Sequence, residues 1–149
     1  CNRRGNMDDI LRIVFAIAVL GHGLAHLVAS LNLGRQLAGT PKADVPEARS
    51  PILGDRSPSA SAALGLVFFV PATILFVVAA PAMAGLFLAD LAWPSLLVAG
   101  ALASIAGVAI LAGRWPGGEA RLRPLHVSLA IGFDLVILAT QLVVGWPKA

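Results

Sequence analysis

The chain has 149 residues, of which 58% are hydrophobic and 13% charged, with a net charge of +3. Soluble domains carry about 45–50% apolar and about 25% charged residues, so this balance is that of a membrane protein with length for one bundle. The basic residues sit between apolar runs, with no aromatic interleaving and no nucleic-acid motif. The positive charge therefore reads as a topology signal, and nucleic acid is excluded as the partner.

Cys1 is the only cysteine, which rules out an intrachain disulfide, a CxxC redox motif and a thiolate metal cluster. Cys1 has two readings: the lipidation site of a mature lipoprotein, or part of an extension before a start at Met7. Four apolar segments follow, at about 10–31, 62–80, 93–112 and 125–146. Each is close to the ~20 residues a helix needs to cross the bilayer, and none shows the alternation of a barrel strand. The expected fold is all-α, a polytopic integral membrane four-helix bundle forming a single transmembrane domain over residues 1–149.

The polar stretch 32–61, with Pro41, Pro46, Pro51 and Pro58 and mixed charges, predicts an irregular interfacial loop opening on a short surface helix. Residues 81–92 form a short apolar link. Residues 113–124 read as a turn through Pro116, Gly117 and Gly118, with Pro124 placed to start a helix. The two odd-numbered loops hold Arg35, Lys42, Arg49, Arg56, Arg114, Arg121 and Arg123, against Arg3, Arg4, Arg12 and Lys148 on the other side. The positive-inside rule then predicts both loops in the cytoplasm of a bacterial inner membrane and both termini outside. Trp93 and Trp146 fall at one predicted interface and Trp115 at the other, as an aromatic belt would. Arg12 is expected to snorkel to water, with Asp90 nearby as its partner or solvated by itself.

Membrane helices pack through small residues. Ala99, Ala103 and Gly107, widened by Gly100 and Ser104, make one such stripe, and Ala18, Gly21 and Ala25 make another. Both are expected at interhelical contacts. Pro71 is expected to kink its helix, with Thr73 or water taking a freed carbonyl.

The intramembrane polar residues are His22, His26, His126, Ser128, Asp134, Thr140 and Gln141. Ionisable groups in hydrocarbon are costly and need partners, so they mark a functional site by default. His22 and His26 are four residues apart and lie on one helix face. At about 1.5 Å per residue, His22 is about 13 Å and His26 about 7 Å from the cytoplasmic end of the first span. Asp134 is about 15 Å, and His126 about 3 Å, from the same end of the fourth. The matched depths predict a His22–Asp134 hydrogen bond and a second polar layer at His26 and His126. Ser128, Thr140 and Gln141 are expected to bond between helices or to backbone.

The cluster His22, His26, His126 and Asp134 admits several chemistries. Haem or a chlorophyll-type pigment would use His22, His26 or His126 as axial donors, the pair His26 and His126 supplying two. A metal ion would use His22 and His26, whose HxxxH spacing suits two ligands, with a carboxylate. A histidine–aspartate chain would relay protons or pass a small molecule. The plainest alternative is a satisfied polar clamp between helices. There is no phosphate loop, no paired carboxylate set and no nucleophile–base pair outside this cluster, so the reading leans away from an enzyme.

Leu11-Arg12 followed by Gly21-His22-Gly23-Leu24-Ala25-His26-Leu27 resembles a group of uncharacterised bacterial four-helix membrane proteins with an HGxxHL signature in the first helix. It is more distantly similar to DoxX-like proteins, whose first helix pairs an early arginine with a later HG followed by Lys-Leu. His26 stands at the lysine position of that pattern. The fourth helix adds a looser likeness through Asp134-Leu135-Val136-Ile137-Leu138. The DoxX resemblance implies membrane redox and quinone chemistry, with no catalytic residue to carry over. The expectation from residues and resemblance together is a small integral membrane subunit or binding protein. It would work in the lipid bilayer by packing with itself, as a homo-oligomer, or with a larger membrane complex. A cofactor-bearing redox protein and a proton-linked small-molecule carrier are the alternatives.

Overall fold

The structure is a computed structural model that describes residues 3–43, 45, 47–53, 57–86, 92–111 and 123–146. Its described residues form four helices: α1 (Arg3–Leu37), α2 (Pro58–Met83), α3 (Trp93–Ile110) and α4 (Arg123–Ala139). They give four spans long and apolar enough to cross a membrane, Met7–Leu37, Pro58–Met83, Trp93–Ile110 and Pro124–Val144, the last running beyond the end of α4. By length and composition the chain is therefore an all-α, multi-pass membrane protein. Cys1, Asp90, Trp115 and most of the 113–124 turn lie outside the described residues.

Helix ends follow local chemistry rather than the apolar boundaries. The region expected to open on a separate surface helix instead continues α1 through Leu37, with Asn32 and Leu33 buried. The helix stops at Gly39, whose φ of 71° favours glycine, and the Thr40 N–H reaches back to the Arg35 carbonyl at 2.9 Å. The connection that follows is tied down. Ala48 N–H donates to Gln36 Oε1 (2.8 Å) and Ser50 N–H to Ser61 Oγ (3.1 Å). Ser57 caps α2 by accepting from Ala60 N–H (3.3 Å), with Pro58 in the first turn. α2 runs unbroken through Pro71 and Pro81. Thr73 Oγ donates to the Phe69 carbonyl (2.8 Å), one turn back along its own helix. After Ala139, α4 widens into a π-helical turn, Thr140–Val144, closed by Gly145 at φ 63°. Thr140 Oγ1 donates to the Ile137 carbonyl (2.9 Å) and Gln141 Nε2 to the Trp146 carbonyl (2.9 Å), so both serve backbone, as expected. Ser128 is exposed.

α1 packs on α2, α2 on α3 and α3 on α4. Two apolar clusters stack along the bundle. One gathers Val19, Phe76, Met83, Trp93, Leu97 and Ile137, and the other Ala29, Leu33, Phe69, Val108, Leu111 and Ala130. Three of the five residues of the small-residue stripe expected on α3 face the interior. Gly100, Ser104 and Gly107 are buried while Ala99 is exposed. A methyl group on Gly100 would meet the Phe76 ring at 2.9 Å, and one on Gly107 the Phe69 ring at 2.8 Å. On α1 the close approach is made by Gly23, 2.9 Å from Phe76 Cβ by the same measure, whereas Gly21 has open space.

Two interfacial expectations are corrected. Trp93 does not form a belt with lipid, because it is fully buried at the start of α3. Arg12 does not simply snorkel to water: its Nε donates to the Met83 carbonyl at the end of α2, and its guanidinium lies 5.9 Å from the centre of the Trp93 ring. A free carbonyl at a helix C-terminus and an aromatic face both attract a cation, and together they hold Arg12 on the protein.

Candidate functional site

The polar residues converge at the level between the two apolar clusters. α1 supplies His22 and His26, α3 Ser104 and α4 Asp134. His22 Nε2 lies 2.8 Å from Asp134 Oδ1, so the contact expected from helix depth is present. His26 Nε2 lies 3.2 Å from His22 Nε2 and 2.9 Å from Ser104 Oγ. Ser104 Oγ donates to the second carboxylate oxygen, Asp134 Oδ2. His26, Ser104 and Asp134 are fully buried, and His22 is nearly so. The expected second layer is thus corrected: His26 joins the His22–Asp134 level through Ser104.

Aromatic rings fix the two imidazoles. His26 stacks on Phe69 and Phe76, with centroids 5.3 and 5.9 Å away and interplanar angles of 26° and 20°. His22 meets Phe76 edge-on at 5.0 Å and Phe133 at 4.9 Å. The same Phe69 and Phe76 rings fill the spaces left by Gly107 and Gly100 on α3. Glycines on α3 thereby admit the α2 rings that orient the α1 histidines. Gly23, beside His22 in sequence, lets α1 approach α2 closely enough for this.

α1 and α4 are separated by a cleft of about 580 Å³, lined by Ala18, His22, Ala25 and Val28 on one wall and His126, Leu129, Ala130 and Phe133 on the other. The cleft gives the centre an open side at His22. It also corrects the small-residue stripe of α1, since Ala18 and Ala25 face this space and not a neighbouring helix. His126 stands on the far wall, and its buried Nδ1 has no hydrogen-bond partner among the described residues.

His22, His26 and Asp134 each present a ligating atom, and the three atoms lie within 4.8 Å of one another. Such a set can hold a cation, share a proton or bind a small polar group. Paired axial ligation of one macrocycle by His26 and His126 is a poorer match, because His26 Nε2 turns onto His22 and Ser104. His126 is the histidine left facing the cleft alone for such a role. Ser104 escaped sequence reasoning because a hydroxyl inside a stripe of alanine and glycine looks like packing. Its spacing was informative, three residues from Gly107 and four from Gly100, on the buried face of α3.

The fold and centre define a multi-pass α-helical membrane protein with a buried His–His–Ser–Asp network. No protein-family model matches the chain, and neither a curated protein nor a solved structure proves similar to it.

Proposed function

We propose that this is a small integral membrane binding protein of a bacterial inner membrane, and that its working part is the His22–His26–Ser104–Asp134 centre. The observation that carries this reading is the cleft between α1 and α4, which brings open space to His22 at the edge of the buried network. A polar clamp serving only to join helices has no need of an open side. The basic loops favour a cytoplasmic location for the connections and an outside location for both termini. A ligand small enough to lodge between α1 and α4 would contact apolar walls and find hydrogen-bonding or ligating atoms at one end.

The reading is tested by gentle extraction followed by native mass spectrometry, elemental analysis and a visible spectrum on one sample. A stoichiometric ion or small molecule, lost when His22 and Asp134 are both replaced by leucine, is the expected result. A bare wild-type protein overturns it. A Soret or chlorophyll-type band lost in His126→Ala would move the reading to a tetrapyrrole redox protein, and a quinone in the extract to a quinone-linked one. Proteoliposome flux that depends on His22 or Asp134 would make it a proton-linked carrier.

A second reading, a packing subunit, has its own support. Only 17% of the α4 span is buried, against 33–39% of the other three. Leu125, Leu129, Leu135 and Val136 are exposed, and a second copy or a larger complex would cover them as well as lipid does. A partner co-purifying in fixed stoichiometry through α4 supports this reading.

A further inference from the structure

Proton counting at the centre leaves a deficit. Each Nε2 offers one proton or one lone pair, never both. His22 Nε2 nevertheless faces both Asp134 Oδ1 (2.8 Å) and His26 Nε2 (3.2 Å), and His26 Nε2 faces Ser104 Oγ (2.9 Å) as well. If both rings donate outward, to Asp134 and to Ser104, the two Nε2–H groups point at each other. If His26 donates to His22, an ionised Asp134 faces a bare His22 lone pair and His26 must share its one proton with Ser104. No assignment makes all three approaches full two-centre hydrogen bonds, because even with Asp134 as the neutral acid one Nε2 proton must be shared, and a poorly met polar group costs most where water is excluded.

We propose that His22 Nε2, His26 Nε2 and Asp134 Oδ1 form a three-ligand site for a first-row divalent transition-metal ion, with Ser104 holding the outer oxygen of the carboxylate. A cation between the two rings turns opposed groups into two bare lone pairs aimed at one point. Metal–ligand bonds of about 2.0–2.1 Å put neighbouring donors about 2.9–3.4 Å apart, from octahedral to tetrahedral angles. The 3.2 Å between the imidazoles lies in that window, and the 2.8 Å from His22 to Asp134 falls about 0.1 Å short of it. Two imidazoles and one carboxylate suit zinc, cobalt(II) or iron(II). Magnesium and calcium prefer all-oxygen sets, and copper(I) prefers sulfur.

Support around the ligands matches what metal sites need. The Ser104 hydroxyl bonds Asp134 Oδ2 and fixes the carboxylate, the kind of outer contact that orients a ligand. Phe69 and Phe76 set the plane of His26. The α1–α4 cleft at His22 supplies access for the ion and for a fourth ligand. A hydroxide or other anion there would bring the charge of a dication and one carboxylate to zero, which a membrane interior favours.

This inference rests on the centre being a binding site, and the experiment separates the two. Chelator-stripped full-length protein in nanodiscs is titrated with cobalt(II) alone, then zinc(II). One equivalent of cobalt is expected, with the visible ligand-field bands of a low-coordinate site, displaced by zinc. Affinity should fall at least ~100-fold in His26→Ala and in Asp134→Asn, and ~10–100-fold in Ser104→Ala, the usual effect of losing an outer-shell contact. Absence of saturable cobalt binding in the wild type overturns the metal site, as does undiminished binding in a folded His26→Ala protein. If His26→Ala does not fold, the wild-type titration and Ser104→Ala still decide. A co-purified small molecule without cobalt binding would remove the metal and keep the binding reading.

Discussion

The seam between α2 and α3 and the seam between α1 and α4 are built from the same kinds of residue and do opposite things. At the first, Gly100 and Gly107 leave no room for a methyl group because the rings of Phe76 and Phe69 already fill it. At the second, Ala18 and Ala25 border an open cleft, and the helices are joined by side chains that reach across. These are the His22–Asp134 hydrogen bond and the ring contacts of Phe133 with Phe15 (6.1 Å) and with His22 (4.9 Å). Lipid tails are as apolar as any side chain, so membrane helices gain from close fit more than from burial. A seam without close fit must be held by specific polar and aromatic bridges. The α1–α4 seam is the place where the bundle can admit something else.

The sharpest way to break the contrast is to remove the ring that serves both seams. Phe76 fills the space at Gly100, touches Gly23 and packs on both histidines. Phe76→Ala should lower stability by about 3–5 kcal/mol, as for a large aromatic deleted from a tight core. It should also loosen the imidazoles, read as the largest fall in thermal unfolding midpoint in detergent and broadened His22 and His26 ring signals in NMR. Next is overfilling the closed seam. Gly107→Leu forces a side chain into Phe69 and should cost about 3 kcal/mol, the upper part of the range for overpacking. A midpoint unchanged from wild type would show that α2 and α3 do not meet there.

The polar bridge comes third. Asp134→Asn keeps the shape and one acceptor but turns an amide N–H₂ toward a donor, either His22 or Ser104. A buried donor left without an acceptor should cost about 1–2 kcal/mol. The loss should be smaller in Asp134→Asn/Ser104→Ala than the sum of the two single losses, because both residues belong to one network. Strict additivity would show that Ser104 and Asp134 do not interact.

The spans and the polar pair behind this contrast were legible in the sequence, the contrast itself was not, and the illegible part has a physical cause. Run length and composition were enough for four spans, because the bilayer fixes helix length. Counting residues from the helix ends was enough to pair His22 with Asp134, because helical rise converts sequence position to depth. Depth says nothing about rotation about the helix axis. The stripe on α3 was therefore drawn too wide, taking in the exposed Ala99 together with Gly100, Ser104 and Gly107, and on α1 Ala18 and Ala25 were assigned to the kind of contact that Gly23 makes. Ser104 was hidden by the same blindness. Arg12 and Trp93 were read as interfacial because each is typical there. Their mutual contact, and the Met83 carbonyl that holds Arg12, depend on how the end of α2 meets the start of α3.

The smallest expected effect is the most discriminating between the seams. Ala25→Leu adds three carbons toward the cleft. If Ala25 were a packing contact like Gly107, the larger side chain would be as costly there as overpacking in a core, about 1–3 kcal/mol. Facing open space, it should change stability by no more than about 0.5 kcal/mol, as for a surface position. The same leucine narrows the way to His22 without touching any polar group of the centre. Cobalt(II) should then bind Ala25→Leu with unchanged final stoichiometry but more slowly, measured by stopped-flow absorbance. An unfolding midpoint that drops with Ala25→Leu would close the cleft and leave the α1–α4 seam no different in kind from α2–α3. Unchanged stability with slowed uptake would identify that seam as the route by which the buried histidines meet their ligand.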